Sequence, residues 1–354
     1  MSDTINIGIL GASGYTGFDL IRLSSLHSNV NIKYASANTN AGEKISNFFP
    51  HLNQLNLNTF KKWEDCNWDS VDIIFSCLPH GSSQDIIKNM PTSNIIIDLS
   101  ADFRLKDPDV YKTWYGRDHE AKNDKILSKI LESSVYGLSE LYKDNIKSSN
   151  FIACPGCYPT ASLLCLAPGV KSGMLDVNNI IIDAKSGISG AGRSAKKELL
   201  FCEVGEGAKP YSVANHRHIP EIEQELSKLS NDSDVKINFT PHLVPMSRGE
   251  IVTIHAKLMN GCDFNSLFDF YKNSYKETPF VKVLDSGINP DTLNVRGSNM
   301  CHIGLYKDRM DNSVTIIGVI DNLVKGSSGQ ALQNMNIRMG WDETMGLNQI
   351  ALFP

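Results

Sequence analysis

Ile5-Asn-Ile-Gly-Ile-Leu-Gly-Ala-Ser-Gly-Tyr-Thr-Gly17 runs from an apolar, β-branched stretch into a cluster of glycines, and an amphipathic stretch from Phe18 to Leu26 follows. The order is strand, glycine turn, helix. Gly11, Gly14 and Gly17 let the backbone turn sharply and approach a pyrophosphate, whose charge the helix N-terminus then stabilises. Ser13, Tyr15 and Thr16 lie in the same turn and join the glycines as candidate cofactor contacts. The spacing is G-x-x-G-x-x-G rather than the commoner G-x-G-x-x-G, and glycines also collect in plain tight turns. The strand before and the helix after favour dinucleotide binding.

The chain continues in the same idiom. A second strand, Val30 to Ser36, should end beside the adenosine ribose, where an acidic side chain would repel a 2′-phosphate. Here Ser36-Ala-Asn38-Thr39 stands, with Lys44 close by and the first acid only at Glu43. Hydroxyls, an amide and a cation suit a 2′-phosphate, so Ser36, Asn38 and Thr39 point to NADP rather than NAD, although ordinary loops also carry such residues. Further strands at Val71 to Cys77 and Asn94 to Asp98 alternate with helical segments such as Ser82 to Asn89. This implies a parallel, doubly wound α/β sheet of Rossmann type. Loops at strand C-termini face the ligand crevice of such sheets. Cys77-Leu-Pro-His-Gly81 therefore offers Pro79 and His80 to a cofactor, and Ser100-Ala-Asp-Phe-Arg104 is a second candidate loop, though a lone loop histidine is more often a surface residue.

From about residue 151 the texture changes. Apolar runs at Ile180 to Asp183, Val235 to Thr240, Ile251 to Leu258, Cys301 to Tyr306 and Val314 to Ile320 lack regular intervening helices and suggest a mostly antiparallel sheet with its helices elsewhere. The expected organisation is a nucleotide-binding domain over 1–150 with about 325–354, whose helical stretch Ser327 to Met339 packs back on it, and an α+β catalytic and oligomerisation domain over 151–324.

Phe151-Ile-Ala-Cys-Pro-Gly-Cys-Tyr-Pro-Thr160 bridges the two. Phe151 to Ala153 reads as a short strand, Pro155-Gly156 as a turn, and Pro159 and Thr160 as the opening of a helix. Cys157 thus sits at a helix N-terminus, where backbone N–H groups and the helix dipole favour a nucleophilic thiolate. Most cysteines of reduced proteins are instead small buried hydrophobes. Three clusters can serve Cys157. Lys185-Ser-Gly-Ile-Ser-Gly-Ala-Gly-Arg-Ser-Ala-Lys196 carries the makings of an anion site at Lys185, Arg193 and Lys196, or is a flexible loop. His216-Arg-His218-Ile-Pro-Glu221 holds two histidines that titrate near neutrality and a carboxylate to orient one of them; the same residues can also ligate a metal, but no metal is expected. In Pro241-His-Leu-Val-Pro-Met-Ser-Arg248-Gly-Glu250, Arg248 either clamps a substrate carboxylate or pairs with Glu250.

Composition excludes other classes. The chain has 354 residues, 41% hydrophobic and 21% charged, with a net charge of −5. No basic run is interleaved with aromatics, so neither nucleic acid nor an anionic membrane surface is an expected partner. The apolar runs are too short to span a bilayer, and the N-terminus enters a strand at once without a signal-peptide pattern. Eight scattered cysteines then argue for free thiols in a reducing compartment, the cytoplasm. Cys154-Pro-Gly-Cys157 has the spacing of a redox pair or half a zinc site, but no second C-x-x-C accompanies it.

As a set, these residues resemble the N-acetyl-γ-glutamyl-phosphate reductases, a group related to the aspartate-semialdehyde dehydrogenases. The resemblance spans essentially the whole chain, through Gly11-Ala-Ser-Gly-Tyr-Thr-Gly17, Leu78-Pro-His-Gly81, Ser100-Ala-Asp-Phe-Arg104, Tyr136-Gly-Leu-Ser-Glu140, Pro155-Gly-Cys-Tyr-Pro-Thr160, Ser186-Gly-x-Ser-Gly-Ala-Gly-Arg193, His216-Arg-His-Ile-Pro-Glu-Ile222, Asp321-Asn-Leu-Val-Lys-Gly326 and Met335-Asn-x-x-x-Gly-Trp341. Gly156-Cys157 departs from the Asn-Cys of the sister dehydrogenases. The resemblance implies a cysteine nucleophile at Cys157, acid–base work by His216 or His218 with Glu221, Asn322 toward the nicotinamide, and Ser186 and Gly187 toward the cofactor. It further implies Arg104, Arg193, Lys196 and Arg248 toward an acyl-phosphate substrate, NADP(H) as cofactor and a homodimer or homotetramer. Rival readings are the sister activity on aspartyl phosphate, a cysteine hydrolase without nucleotide, and a non-catalytic NADP sensor.

Overall fold

The computed structural model describes residues 4–55, 57–230 and 234–353. It divides into two compact units, Met1–Pro155 with Ser327–Asn348, and Gly156–Gly326 with Gln349–Pro354. The last six residues fall in the second unit rather than with the helix that precedes them, and there the Leu352 N–H donates to the Arg296 carbonyl at 2.9 Å.

The first unit carries strands β1 (Ile5–Leu10), β2 (Val30–Ser36), β3 (Ile73–Ser76), β4 (Ile95–Asp98), β5 (Val135–Tyr136) and β6 (Phe151–Ala153). They form one sheet in the order β2-β1-β3-β4-β6-β5 with every pairing parallel. Ile7, Ile9, Ile73, Ile74, Phe75 and Ile97 are fully buried, as expected of strands covered on both faces. The two-residue β5 is too short to leave a periodic signal in sequence. Helix Tyr15–Ser24 starts three residues before the apolar periodicity suggests, because the glycine turn itself feeds the first helical turn. Helix Gly329–Arg338 follows a π-helical turn at Val324–Ser328 and returns to this unit, where Asn334 and Gln330 both donate to the Gly137 carbonyl and His27 meets Asn336 at 2.9 Å.

The second unit holds β7 (Leu175–Ser186), β8 (Lys209–Pro210), β9 (Ile237–Leu243), β10 (Glu250–Leu258), β11 (Val281–Val283), β12 (Cys301–Lys307) and β13 (Ser313–Ile320). Their order is β11-β12-β13-β10-β7-β9-β8. Four pairings are antiparallel, while β7–β9 and β11–β12 are parallel, so the sheet is mixed with an antiparallel centre. Helix Cys157–Lys171 packs on one face of this sheet, against β7, β10 and β13. It is buried along its length from Tyr158 to Val170. Gly318 makes that contact possible, since a Cβ there would lie 2.3 Å from Cys165 Sγ. In β10 the inward row is Glu250, Val252, Ile254, Ala256 and Leu258, a carboxyl at the head of four apolar side chains.

Candidate active site

In the first unit the glycine turn is shaped as a pyrophosphate cradle. Gly11 has φ +73°, and a Cβ on it would lie 2.5 Å from the Cys77 carbonyl oxygen. A Cβ on Gly17 would lie 2.6 Å from Ala12 Cα and from Gly11 O, whereas at Gly14 the nearest atom is 3.6 Å away. Gly14 is the N-cap and no side chain caps the helix, which presents backbone amides in the manner that binds phosphate. Thr16 Oγ1 sits 3.3 Å from Ser327 Oγ. These residues fit a dinucleotide.

At the end of β2, Ser36 is buried and Asn38 and Thr39 are exposed. Asn38 Oδ1 accepts the Trp63 N–H at 3.4 Å. Ser36 bridges to Lys61, whose ammonium lies over the Tyr34 ring. Sequence reading missed Lys61, which is remote from Ser36 along the chain and reaches it only through this bridge. Pro79 and His80 are exposed, with the His80 ring 5.8 Å from Tyr115. Behind them Gly81, at φ +88°, donates its N–H to both carboxylate oxygens of buried Asp102 at 2.7 and 2.8 Å.

Arg104, on the loop after β4, is largely buried. It is 7% exposed, and its Nε and Nη2 donate to the carbonyls of Cys154 and Leu99 at 2.7 and 2.9 Å, so it braces the loop that ends β6. Cys154 is 1% exposed, and burial pushes its thiol up to about 12, so it stays protonated.

In the second unit Cys157 is the first residue of its helix, with Gly156 as N-cap in extended conformation. Gly156 is gripped from two sides. Its N–H donates to Glu221 Oε1 at 2.8 Å, and a Cβ on it would lie 2.4 Å from His218 Nε2. Both partners come from the start of helix Ile219–Leu229, and Glu221 is 1% exposed. Glu221 thus holds the turn that precedes Cys157. Pro159 has no N–H, and that of Gly156 is taken by Glu221.

His216 stands behind His218, their rings 4.7 Å apart, and its Nδ1 accepts the His218 N–H at 3.1 Å. Tyr158, Tyr211 and Phe239 enclose it. Burial in that cage, with the Arg217 charge as a lesser cause, pushes the imidazole down to about 4. The Tyr211 hydroxyl donates to the Tyr158 hydroxyl at 3.2 Å.

Ser186 and Gly187 lie at the end of β7, where Gly187 N–H donates to Gly249 O at 2.9 Å. Asn322 is 2% exposed and ties the neighbouring loops together, donating to Ser189 Oγ at 3.0 Å and accepting the Gly249 N–H at 2.9 Å. Arg193 and Lys196 are exposed on the loop after β7. Arg248 pairs with Asp321 at 3.4 Å and not with Glu250. Glu250 instead lies fully buried against Cys157, and burial pushes its carboxyl up to about 8. Among the described residues no group of three or more His, Cys, Asp or Glu side chains is arranged to hold a metal ion, and no helix is long and apolar enough to cross a membrane.

Comparison with known proteins decides the family. Residues 6–149 match the semialdehyde dehydrogenase NAD-binding domain, and residues 157–322 match the semialdehyde dehydrogenase dimerisation domain. The chain is 46% identical to N-acetyl-γ-glutamyl-phosphate reductase from Rhodospirillum rubrum over the full length of both. The chain belongs to the N-acetyl-γ-glutamyl-phosphate reductase family. A probable chloroplastic N-acetyl-γ-glutamyl-phosphate reductase of Arabidopsis thaliana is 48% identical over 99% of this chain and 86% of its own. In fold the reductase resembles aspartate semialdehyde dehydrogenase II of Vibrio cholerae, with a TM-score of 0.73, 15% identity, and 96% and 99% of the two chains covered. With a dimerisation domain over its second half, the reductase is an oligomer of small-molecule enzyme type.

Proposed function

We propose that this chain reduces N-acetyl-γ-glutamyl phosphate to N-acetylglutamate 5-semialdehyde and phosphate with NADPH, in arginine biosynthesis, and that Cys157 carries the acyl group. The observation that carries the reading is the single turn at Gly156, where Glu221 and His218 converge on the residue before a helix-start cysteine.

Cys157 Sγ attacks the acyl carbon, the bond to the phosphate oxygen breaks, and phosphate departs past the exposed cations Arg193 and Lys196. The glycine turn with Ser36, Asn38, Thr39 and Lys61 would hold the pyrophosphate and 2′-phosphate ends of NADPH, which would supply the hydride when bound. A thioester is the better acceptor because its carbonyl is less stabilised by resonance than an ester's. His218, whose ring covers Gly156, gives the carbonyl oxygen a proton as hydride arrives and takes it back as the C–S bond breaks and the aldehyde leaves. His216, held neutral in its cage, fixes His218 from behind. Arg104 is left out of the substrate set, and Arg248 is available to it only in so far as Asp321 releases it. The working form is a homodimer or homotetramer, and the cytoplasm is its place; the Arabidopsis relative's name places that protein in the chloroplast. Neither nucleic acid nor membrane takes part.

The test is the reverse reaction, NADP reduction in the presence of phosphate, with N-acetylglutamate semialdehyde and aspartate semialdehyde compared. Preference for the first and its loss in Cys157→Ser are expected. Preference for aspartate semialdehyde, or activity retained by Cys157→Ser, overturns the reading.

A further inference from the structure

Glu250 heads the inward row of β10, ahead of Val252, Ile254, Ala256 and Leu258, and that row faces helix Cys157–Lys171. Across the sheet it is paired with Ser186 of β7 and Ile320 of β13, which places all three side chains on the helix-facing side. The Ile320 side chain and Cys157 Cβ meet at Gly326, where a Cβ would lie 3.2 and 2.8 Å from them, so the carboxyl lies beneath the start of the helix. Glu250 is fully buried, and neither carboxyl oxygen completes a hydrogen bond of normal geometry among the described residues. A buried carboxyl in this condition is costly unless it is neutral or has a partner. The nearest cation in sequence, Arg248, is engaged by Asp321. Of the groups around it, only the Cys157 side chain favours its ionised form. Tyr158 on the helix and Tyr211 on the loop before His216 are the other titratable groups close enough to feel its charge, and burial keeps both phenols protonated.

We propose that Glu250 is the proton partner of Cys157: the two side chains share one proton in the resting enzyme, the carboxyl holding it while sulfur is a thiolate. The step balances. As the Sγ–C bond to the acyl carbon forms, the thiol proton resides on Glu250; as the C–S bond breaks and the aldehyde leaves, that proton can return to sulfur. His218 is then free to serve the carbonyl oxygen alone. Burial in the apolar row holds the free carboxyl up to about 8, which is where a neutral acid at physiological pH belongs. Coupled groups of this kind lose their protons in two macroscopic steps.

This proposal rests on Cys157 being the nucleophile, and it is tested without substrate or turnover. Alkylation of Cys157 by iodoacetamide is followed against pH by mass spectrometry of its peptide, which separates it from exposed Cys202. In the wild type the rate should rise in two steps with a plateau between them. In Glu250→Gln, an isostere of the neutral acid, it should rise in one step, while NADPH affinity and the melting temperature stay near wild type. Glu250→Asp, which keeps the carboxyl, should recover the two steps. Coincident one-step profiles in wild type and Glu250→Gln would overturn the pairing and leave the reductase reading intact. Should Glu250→Gln fail to fold, the wild-type profile decides alone, since a single step there is incompatible with a shared proton. In turnover, Glu250→Gln should slow acyl-enzyme formation about 10²-fold at neutral pH.

Discussion

The Glu221 carboxylate accepts the Gly156 N–H at 2.8 Å, inside a site where Glu221 is 1% exposed. A buried carboxyl bound to a backbone amide fixes where the next residue, Cys157, begins its helix. Removing the acceptor leaves that amide unsatisfied at a cost of about 1–3 kcal/mol and lets the turn shift. Glu221→Ala should therefore lower kcat by about 10²-fold with NADPH affinity unchanged, and Glu221→Gln, whose amide oxygen can still accept, should recover most of it. Steady-state kinetics beside an NADPH fluorescence titration check both. Full activity in Glu221→Ala would remove Glu221 from the positioning of Cys157.

Gly156 has φ −68° and ψ 163°, a conformation open to any residue, so its lack of a side chain has another cause. The cause is the His218 ring, whose Nε2 would be 2.4 Å from a Cβ. Gly156→Ala must displace the imidazole, and a displacement near 1 Å costs about 10²-fold in rate. The expected result is that loss in kcat with unchanged circular dichroism. Wild-type turnover in Gly156→Ala would show that His218 is not held where it works.

Both α/β halves were legible because their signals are local. The Ile5–Gly17 stretch gives strand, turn and helix in thirteen residues, and runs such as Val314 to Ile320 are long enough to be read alone. The strands that escaped, Val135–Tyr136, Lys209–Pro210 and Val281–Val283, have two or three residues each and exist because a neighbour pairs with them. The helix start at Cys157 was legible from Pro155-Gly156, but its side-chain neighbours were not. Arg248 lies two residues from Glu250 and turns to Asp321, 73 residues away, while Glu250 turns to Cys157. The one available clue was the alternation Glu250-x-Val-x-Ile-x-Ala-x-Leu258, which puts a carboxyl on an apolar face. Arg104, a loop arginine after a sheet strand, reads in sequence as a ligand contact, and its carbonyl partners become visible only in the fold.

Gly17 lies in the first turn of its helix, where a Cβ would strike Ala12 Cα and Gly11 O, both at 2.6 Å. These are backbone atoms that cannot rotate away, so Gly17→Ala has to open the turn that would cradle the pyrophosphate. NADPH affinity should fall at least tenfold, about 1.4 kcal/mol, measured by calorimetry without substrate. Cys157 alkylation should be unaffected, because that chemistry belongs to the other unit. An unchanged Kd would mean that the turn does not carry the cofactor.

His216 and Glu250 are both displaced by burial, but only His216 ties stability to pH. His216 falls from 6.5 to about 4, so between those values the unfolded chain binds a proton that the folded one refuses. Its contribution is complete above about pH 6.5 and is lost as pH falls toward 4. Glu250 rises from 4.5 to about 8, but the proton it keeps is the one Cys157 gives up, so the folded pair and the unfolded pair each bind one proton there and the pair adds little slope. His216→Phe should therefore flatten the acid side of a plot of urea midpoint against pH, and Glu250→Gln should leave that side alone. The steepest change His216 can add is one proton, about 1.4 kcal/mol per pH unit. Because His216 is already neutral at pH 7, His216→Phe should also leave the pH profile of Cys157 alkylation in place, whereas Glu250→Gln should not. A His216→Phe variant whose acid limb matches wild type would mean that the aromatic cage does not exclude the imidazolium.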